Sequence, residues 1–106
     1  MAAAKTNLPG NINGETVFIA IKDQVSANLE NEAVILHLKD GVYYGLNPVG
    51  ARIWNLLQEP RSVNQLRDVL LSEYEVEPRR LEEDLLQLLQ ELAGRGLIEG
   101  HYDATG

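Results

Sequence analysis

Residues 41–57 read GVYYGLNPVGARIWNLL, and the apolar pattern changes its period inside this stretch. Val42 to Leu46 is a short strand pattern. It follows Asp40-Gly41, a pair that tolerates the positive φ demanded at both central positions of a tight type I′ hairpin turn. From Asn47 the period becomes helical. Asparagine can cap the free amides of a helix start, and Pro48 at the first helical position loses no hydrogen bond. Val49, Ile53, Trp54, Leu56 and Leu57 then fall on one stripe. The chain therefore divides near residue 47.

Upstream of the divide the pattern has period two. Thr16 to Ile21 reads as a strand with both faces partly covered. Val25, Ala27 and Leu29 alternate with Ser26, Asn28 and Glu30, as in a half-buried strand or a continuation of the first past a bulge. Asn31 and Glu32 suit a turn, and Ala33 to Leu38 a more fully buried strand. Downstream, Pro60 is expected to stop the first helix. Ser62 with Gln65 makes a capping box for the second, whose stripe is Val63, Leu66, Val69, Leu70 and Tyr74. The third helix should run from Pro78 to Ala93 or Gly94, where glycine ends it. Leu81, Leu85, Leu88 and Leu92 form one stripe on it, and Leu86, Leu89 and Ala93 a second beside it, so two sides should be covered. Leu97-Ile98 is a short apolar return.

The fold class that follows is α+β: a small antiparallel three-stranded sheet followed by three helices, in winged helix-turn-helix outline. DNA readers, protein-docking modules and peptide binders all use that outline, so it does not choose a function. Residues 15–99 are expected to form the domain, with mobile tails at 1–14 and 100–106.

The chain has 106 residues, enough for one modest core, and no cysteine, which excludes disulfide and thiolate chemistry. Sixteen acidic against nine basic residues leave a formal net charge of −7, which works against phosphate neutralisation. A basic or apolar peptide is an easier partner. No apolar run is long enough for a signal peptide or a membrane span, and a cytoplasmic location is expected. Catalysis finds little to use. His37 and His101 form no metal-ligand pair, and Ser26, Ser62 and Ser72 lack a nucleophile-elbow context. The glycines build no phosphate loop, and Glu82-Glu83-Asp84 is explained by the helix dipole. No enzyme activity, metal or cofactor is expected.

The order and spacing of several small motifs resemble the PqqD-like family of recognition elements for ribosomally made, modified peptides. The motifs are Ile35-Leu36, Asp40-Gly41, Tyr43, Leu46-Asn47, Gly50-Ala51 and Ile53-Trp54, followed by Asp84, Leu85, Leu88, Leu92 and Gly96-Leu97. The resemblance covers about residues 16–99. Within the family, the tyrosine-containing strand and Arg52-Ile53-Trp54 look most like the free-standing B1 proteins of lasso-peptide pathways. The resemblance implies a carrier for a precursor's leader, which a leader peptidase would cut before an ATP-dependent cyclase closes the ring. It also leaves open a peptide chaperone for a radical SAM enzyme, as in pyrroloquinoline quinone synthesis. A winged-helix regulator and a docking subunit without leader contact remain as alternatives, although the third helix mixes Arg79-Arg80 with Glu82-Glu83-Asp84.

The resemblance further implies that an extended leader adds antiparallel to Val42, Tyr43, Tyr44, Gly45 and Leu46, against the third helix. Main-chain bonds would give affinity, and pockets for alternate side chains would give selectivity. Leu81, Asp84, Leu85 and Leu88 are the candidates for that helix's share, with Leu85 and Leu88 equally suited to the core. Tyr43 and Tyr44 must point to opposite faces, one toward the core and one toward partner or solvent.

Overall fold

A computed structural model describes residues 12–29 and 32–101. The strands are β1 (Val17–Ala20), β2 (Gln24–Leu29), β3 (Glu32–His37), β4 (Val42–Leu46), β5 (Arg61–Ser62) and β6 (Ile98–His101); the helices are α1 (Pro48–Leu56), α2 (Val63–Glu73) and α3 (Pro78–Gly94). The strands form two antiparallel three-stranded sheets, ordered β5-β1-β6 and β2-β3-β4. The expected single sheet is the second of these.

The bulged continuation of the first strand does not occur. After Ala20 the Ile21 amide donates to the Leu97 carbonyl, 3.0 Å away, and the chain bends at Lys22-Asp23 before β2 begins. The apolar return at Leu97-Ile98 thus has a purpose that its two residues alone conceal: it leads into β6, the main partner of β1. Gly100 of β6 lies on Phe18, where a Cβ would come within 2.6 Å of the ring, so only glycine fits there.

β2 also departs from expectation. Val25 and Ala27 pair across the sheet with Leu36 and Val34, on the face away from the core, and Val25 is 57% exposed. The core-side positions of β2 are Gln24, Ser26 and Asn28. The alternation of the sequence was therefore real, but its apolar side faces outward. The expected turn at Asn31-Glu32 is half outside the described residues, and Glu32 already belongs to β3. Residues 1–11 and 102–106 of the two expected tails lie outside them as well. Ile12 packs on the core, and the Gly14 carbonyl accepts from the Asn64 amide.

Asn47 caps α1 through its side chain, which accepts from the Gly50 amide at 2.8 Å. The helix ends at Leu56, four residues before Pro60; the Leu57 amide closes it on the Ile53 and Trp54 carbonyls. Val49 of the expected stripe is exposed. Ser62 and Gln65 form the reciprocal capping box at α2. In α3 the buried stripe is Leu81, Leu85, Leu89 and Leu92, with Leu86, Leu88 and Ala93 half-buried beside it. α3 ends at Gly94, as expected, and the glycine that closes it at positive φ is Gly96. Gly96 sits at φ 77, where its amide reaches the Ala93 carbonyl and that of Leu97 reaches Leu92, a Schellman closure. The core joins all three helices to both sheets through Phe18, Ile35, Trp54, Leu57, Leu66, Leu70, Leu85 and Leu97.

Candidate peptide-binding groove

β4 is an edge strand. β3 pairs with one side of it, and among the described residues no strand pairs with the other. An open edge exposes main-chain donors and acceptors that another strand can satisfy. β2 is the second edge of the same sheet, but its core-side residues Gln24, Ser26 and Asn28 are polar, so a strand added there would find no apolar floor on that side. β4 is different. Tyr44 and Leu46 are half-buried against the core, while Tyr43 and Gly45 alternate onto the outer face. This decides between the two tyrosines: Tyr44 faces the helices, and Tyr43, 68% exposed, faces away.

The start of β4 is fixed by the hairpin loop. This loop has four residues, Leu38 to Gly41, between the paired His37 and Val42. The expected two-residue turn is thus replaced by a longer loop that ends on Gly41 at φ 70, with its amide on the His37 carbonyl at 2.8 Å. Asp40 supplies the side-chain half of the loop. Its Oδ1 accepts from the Val42 amide at 3.0 Å and lies 3.1 Å from His37 Nδ1. The Val42 amide, more than the imidazole, holds the Asp40 carboxyl below its ordinary pKa. His37 is therefore a buried sheet residue with a structural partner.

α3 reaches this strand at its C-terminal end. Arg95, the C-cap of α3, places its guanidinium 5.0 Å from the centroid of the Tyr44 ring. Helical spacing puts Asp84, Leu88, Glu91 and Arg95 on one face of α3. Leu88 is half-buried there, and Asp84 is exposed and 3.8 Å from Arg80. Leu81 and Leu85 are buried beneath, and Leu85 at 1% exposure is core. Of the candidate residues, Val42 to Leu46 form the edge strand, Asp84 and Leu88 lie on the same face of α3 as Arg95, and Leu81 and Leu85 are buried. Arg95 was absent from the candidates; only its place at a helix end could have pointed to it. No group of three potential metal ligands occurs among the described residues.

The outer face of this sheet has its own character. Val25, Leu36 and Tyr43 stand directly opposite one another across the three strands, with Ala27, Val34 and Gly45 in the next row. That is an apolar surface beside the open edge.

The family model described as coenzyme PQQ synthesis protein D (PqqD) matches residues 32–98, which run from β3 to the start of β6. A solved structure described as TbiB1 in complex with the TbiA(beta) leader peptide is 40% identical, with a TM-score of 0.73 over 80% of this chain and 99% of that one. A lasso peptide synthetase B1 complexed with the leader peptide is 30% identical, with a TM-score of 0.68 over 76% and 95%. A comparison with curated proteins gave no match. Because the family match takes in the hairpin, the capped α1 and the whole of α3, and two B1 structures align over most of the chain, the protein belongs to the PqqD family.

Proposed function

We propose that the protein binds the leader of a ribosomally made precursor peptide, by strand addition to β4, and presents it to the enzymes of lasso-peptide biosynthesis. The observation that carries this reading is the open edge of β4 with a half-buried floor. Tyr44 and Leu46 are half-buried on the strand, Leu88 is half-buried on α3, and Leu81 and Leu85 anchor that helix in the core. An extended peptide satisfies the edge with main-chain bonds and places every second side chain on that floor. The two B1 relatives, each solved with a leader peptide, support the same occupant. The protein acts as a carrier; peptide cleavage by a leader peptidase and ring closure by a cyclase belong to its partners. The apolar outer face, where Val25, Leu36 and Tyr43 form a row that ends at the β4 edge, is suited to hold such a partner beside the bound leader.

The test is an amide-shift map of labelled protein titrated with the TbiA(β) leader peptide, with a scrambled peptide as control. Shifts are expected at residues 42–46 and on the 84–95 face of α3. If these stay still while another surface responds, the groove is wrong. If neither peptide binds more tightly than the other, leader recognition itself is wrong. Proline in the leader at a residue whose amide enters the ladder should weaken binding, because it removes a donor.

A further inference from the structure

Strand addition alone leaves a problem of register. Main-chain bonds repeat every two residues, so a leader displaced by two keeps all of them and returns the same faces to the same sides. Something must fix the position of the peptide along β4, and a charge at one point of the groove can do so.

Arg95 is placed for that task. Its amide donates to the Glu91 carbonyl at 3.1 Å, and the Gly96 closure pins the residues that follow. Its guanidinium is held over Tyr44, the residue whose ring forms part of the floor. Stacking on a ring leaves the N–H fork of arginine free to bind a carboxylate edge-on. Among the described residues, Arg52, Arg61, Arg67 and Arg80 all have carboxylate partners. Arg95 has none there, although Glu91 lies one turn back on the same face and the chain carries sixteen acidic residues. Arg79 is also without a carboxylate partner among the described residues, but it projects from the first turn of α3 with no ring beneath it.

We infer that Arg95 is a specificity residue of the groove, reading one aspartate or glutamate side chain of the bound leader and thereby setting its register. The inference rests on leader binding at β4. Elsewhere the net charge of −7 disfavours an acidic peptide, so a carboxylate is welcome at this point and penalised at others.

The probe is a set of TbiA(β) leader peptides carrying aspartate or asparagine at each successive position, with affinity read by fluorescence anisotropy. For the wild-type protein, one position should favour aspartate by about three- to tenfold, the range of a partly exposed charged hydrogen bond. In Arg95→Gln that preference should vanish while the other positions keep their ratios, and Arg95→Lys should restore part of it. A thermal melt of each variant confirms that the exposed change leaves the fold intact. If the wild-type protein binds the set but its aspartate-to-asparagine ratios are unchanged in Arg95→Gln, Arg95 reads no carboxylate and the leader reading stands. If the wild-type protein binds no peptide of the set, the leader reading falls and the inference falls with it.

Discussion

Trp54 is 1% exposed at the centre of the core, and Asp40 lies on the surface of the loop that leads into β4. Trp54→Ala removes the largest buried side chain and leaves a cavity between α1 and its neighbours. A loss of about 3–5 kcal/mol is expected in a urea titration, with the groove lost along with the fold. Asp40 acts through its charge. The Val42 amide, then His37, lower its pKa in the folded state, so the carboxylate stabilises the native loop above its ordinary titration range. That contribution is lost as the pH falls through the folded-state pKa. Asp40→Asn keeps an acceptor for the Val42 amide but cannot titrate. Its stability should therefore fall less steeply than that of the wild-type protein below about pH 5. Equal acid slopes would show that Asp40 has no such part. Glu73, held below its usual pKa by its hydrogen bonds with Arg52, contributes with the same sign and is common to both proteins.

At the scale of elements, the groove needs a strand with one free edge and a helix face that is neither fully buried nor fully solvated. Asp84 and Leu85 are adjacent on α3 and should answer differently to the same truncation. Leu85→Ala should cost about 2–5 kcal/mol of stability, because a buried leucine leaves a cavity. Asp84→Ala should leave the melting temperature nearly unchanged and weaken leader binding, since an exposed carboxylate beside Arg80 adds little to the fold. Paired urea and anisotropy titrations separate the two, and a stable Leu85→Ala would move that residue out of the core. Much of this was legible in the sequence. Asn47-Pro48 and Ser62 with Gln65 are local signals, because a cap needs only neighbours a few residues away. The buried identity of Leu85 and Leu89, with Leu88 half-covered, was not legible, because two leucine stripes one residue apart obey the same helical period. The choice between them is made by what the rest of the fold lays against the helix. Gly94 and Gly96 pose the same problem: either can close a helix at positive φ, and the closure of Leu97 onto Leu92 selects the second.

At the scale of the molecule, contacts between distant residues decide what local pattern cannot. β1 pairs with β6, more than seventy residues later, and no periodicity within either segment announces the partner. The outward turn of Val25 and Ala27 likewise follows from where α1 packs, namely on β3 and β4. The distribution of charge, in contrast, was readable from the outset, and it bears on the reading that the winged outline keeps in play. A DNA reader gains affinity by placing cations on phosphates and releasing counterions. Here the net charge is −7, and Arg52, Arg61, Arg67 and Arg80 are each engaged with carboxylates of the same chain. Using them on phosphate would mean breaking those pairs and bringing Glu73, Glu59, Asp68, Glu82 and Asp84 toward the backbone of the duplex. Arg79 and Arg95 lie at opposite ends of α3, sixteen residues apart, with Glu82, Glu83, Asp84 and Glu91 between them. Only the first turn of that helix carries adjacent cations, Arg79 and Arg80, and Arg80 is paired with Asp84 one turn on. Duplex DNA should therefore show no sequence-dependent retention in a gel-shift series at physiological salt, under conditions where a leader peptide binds. Submicromolar retention that weakens steeply as salt rises would mean that these ion pairs open in the complex, and would return the regulator reading to first place.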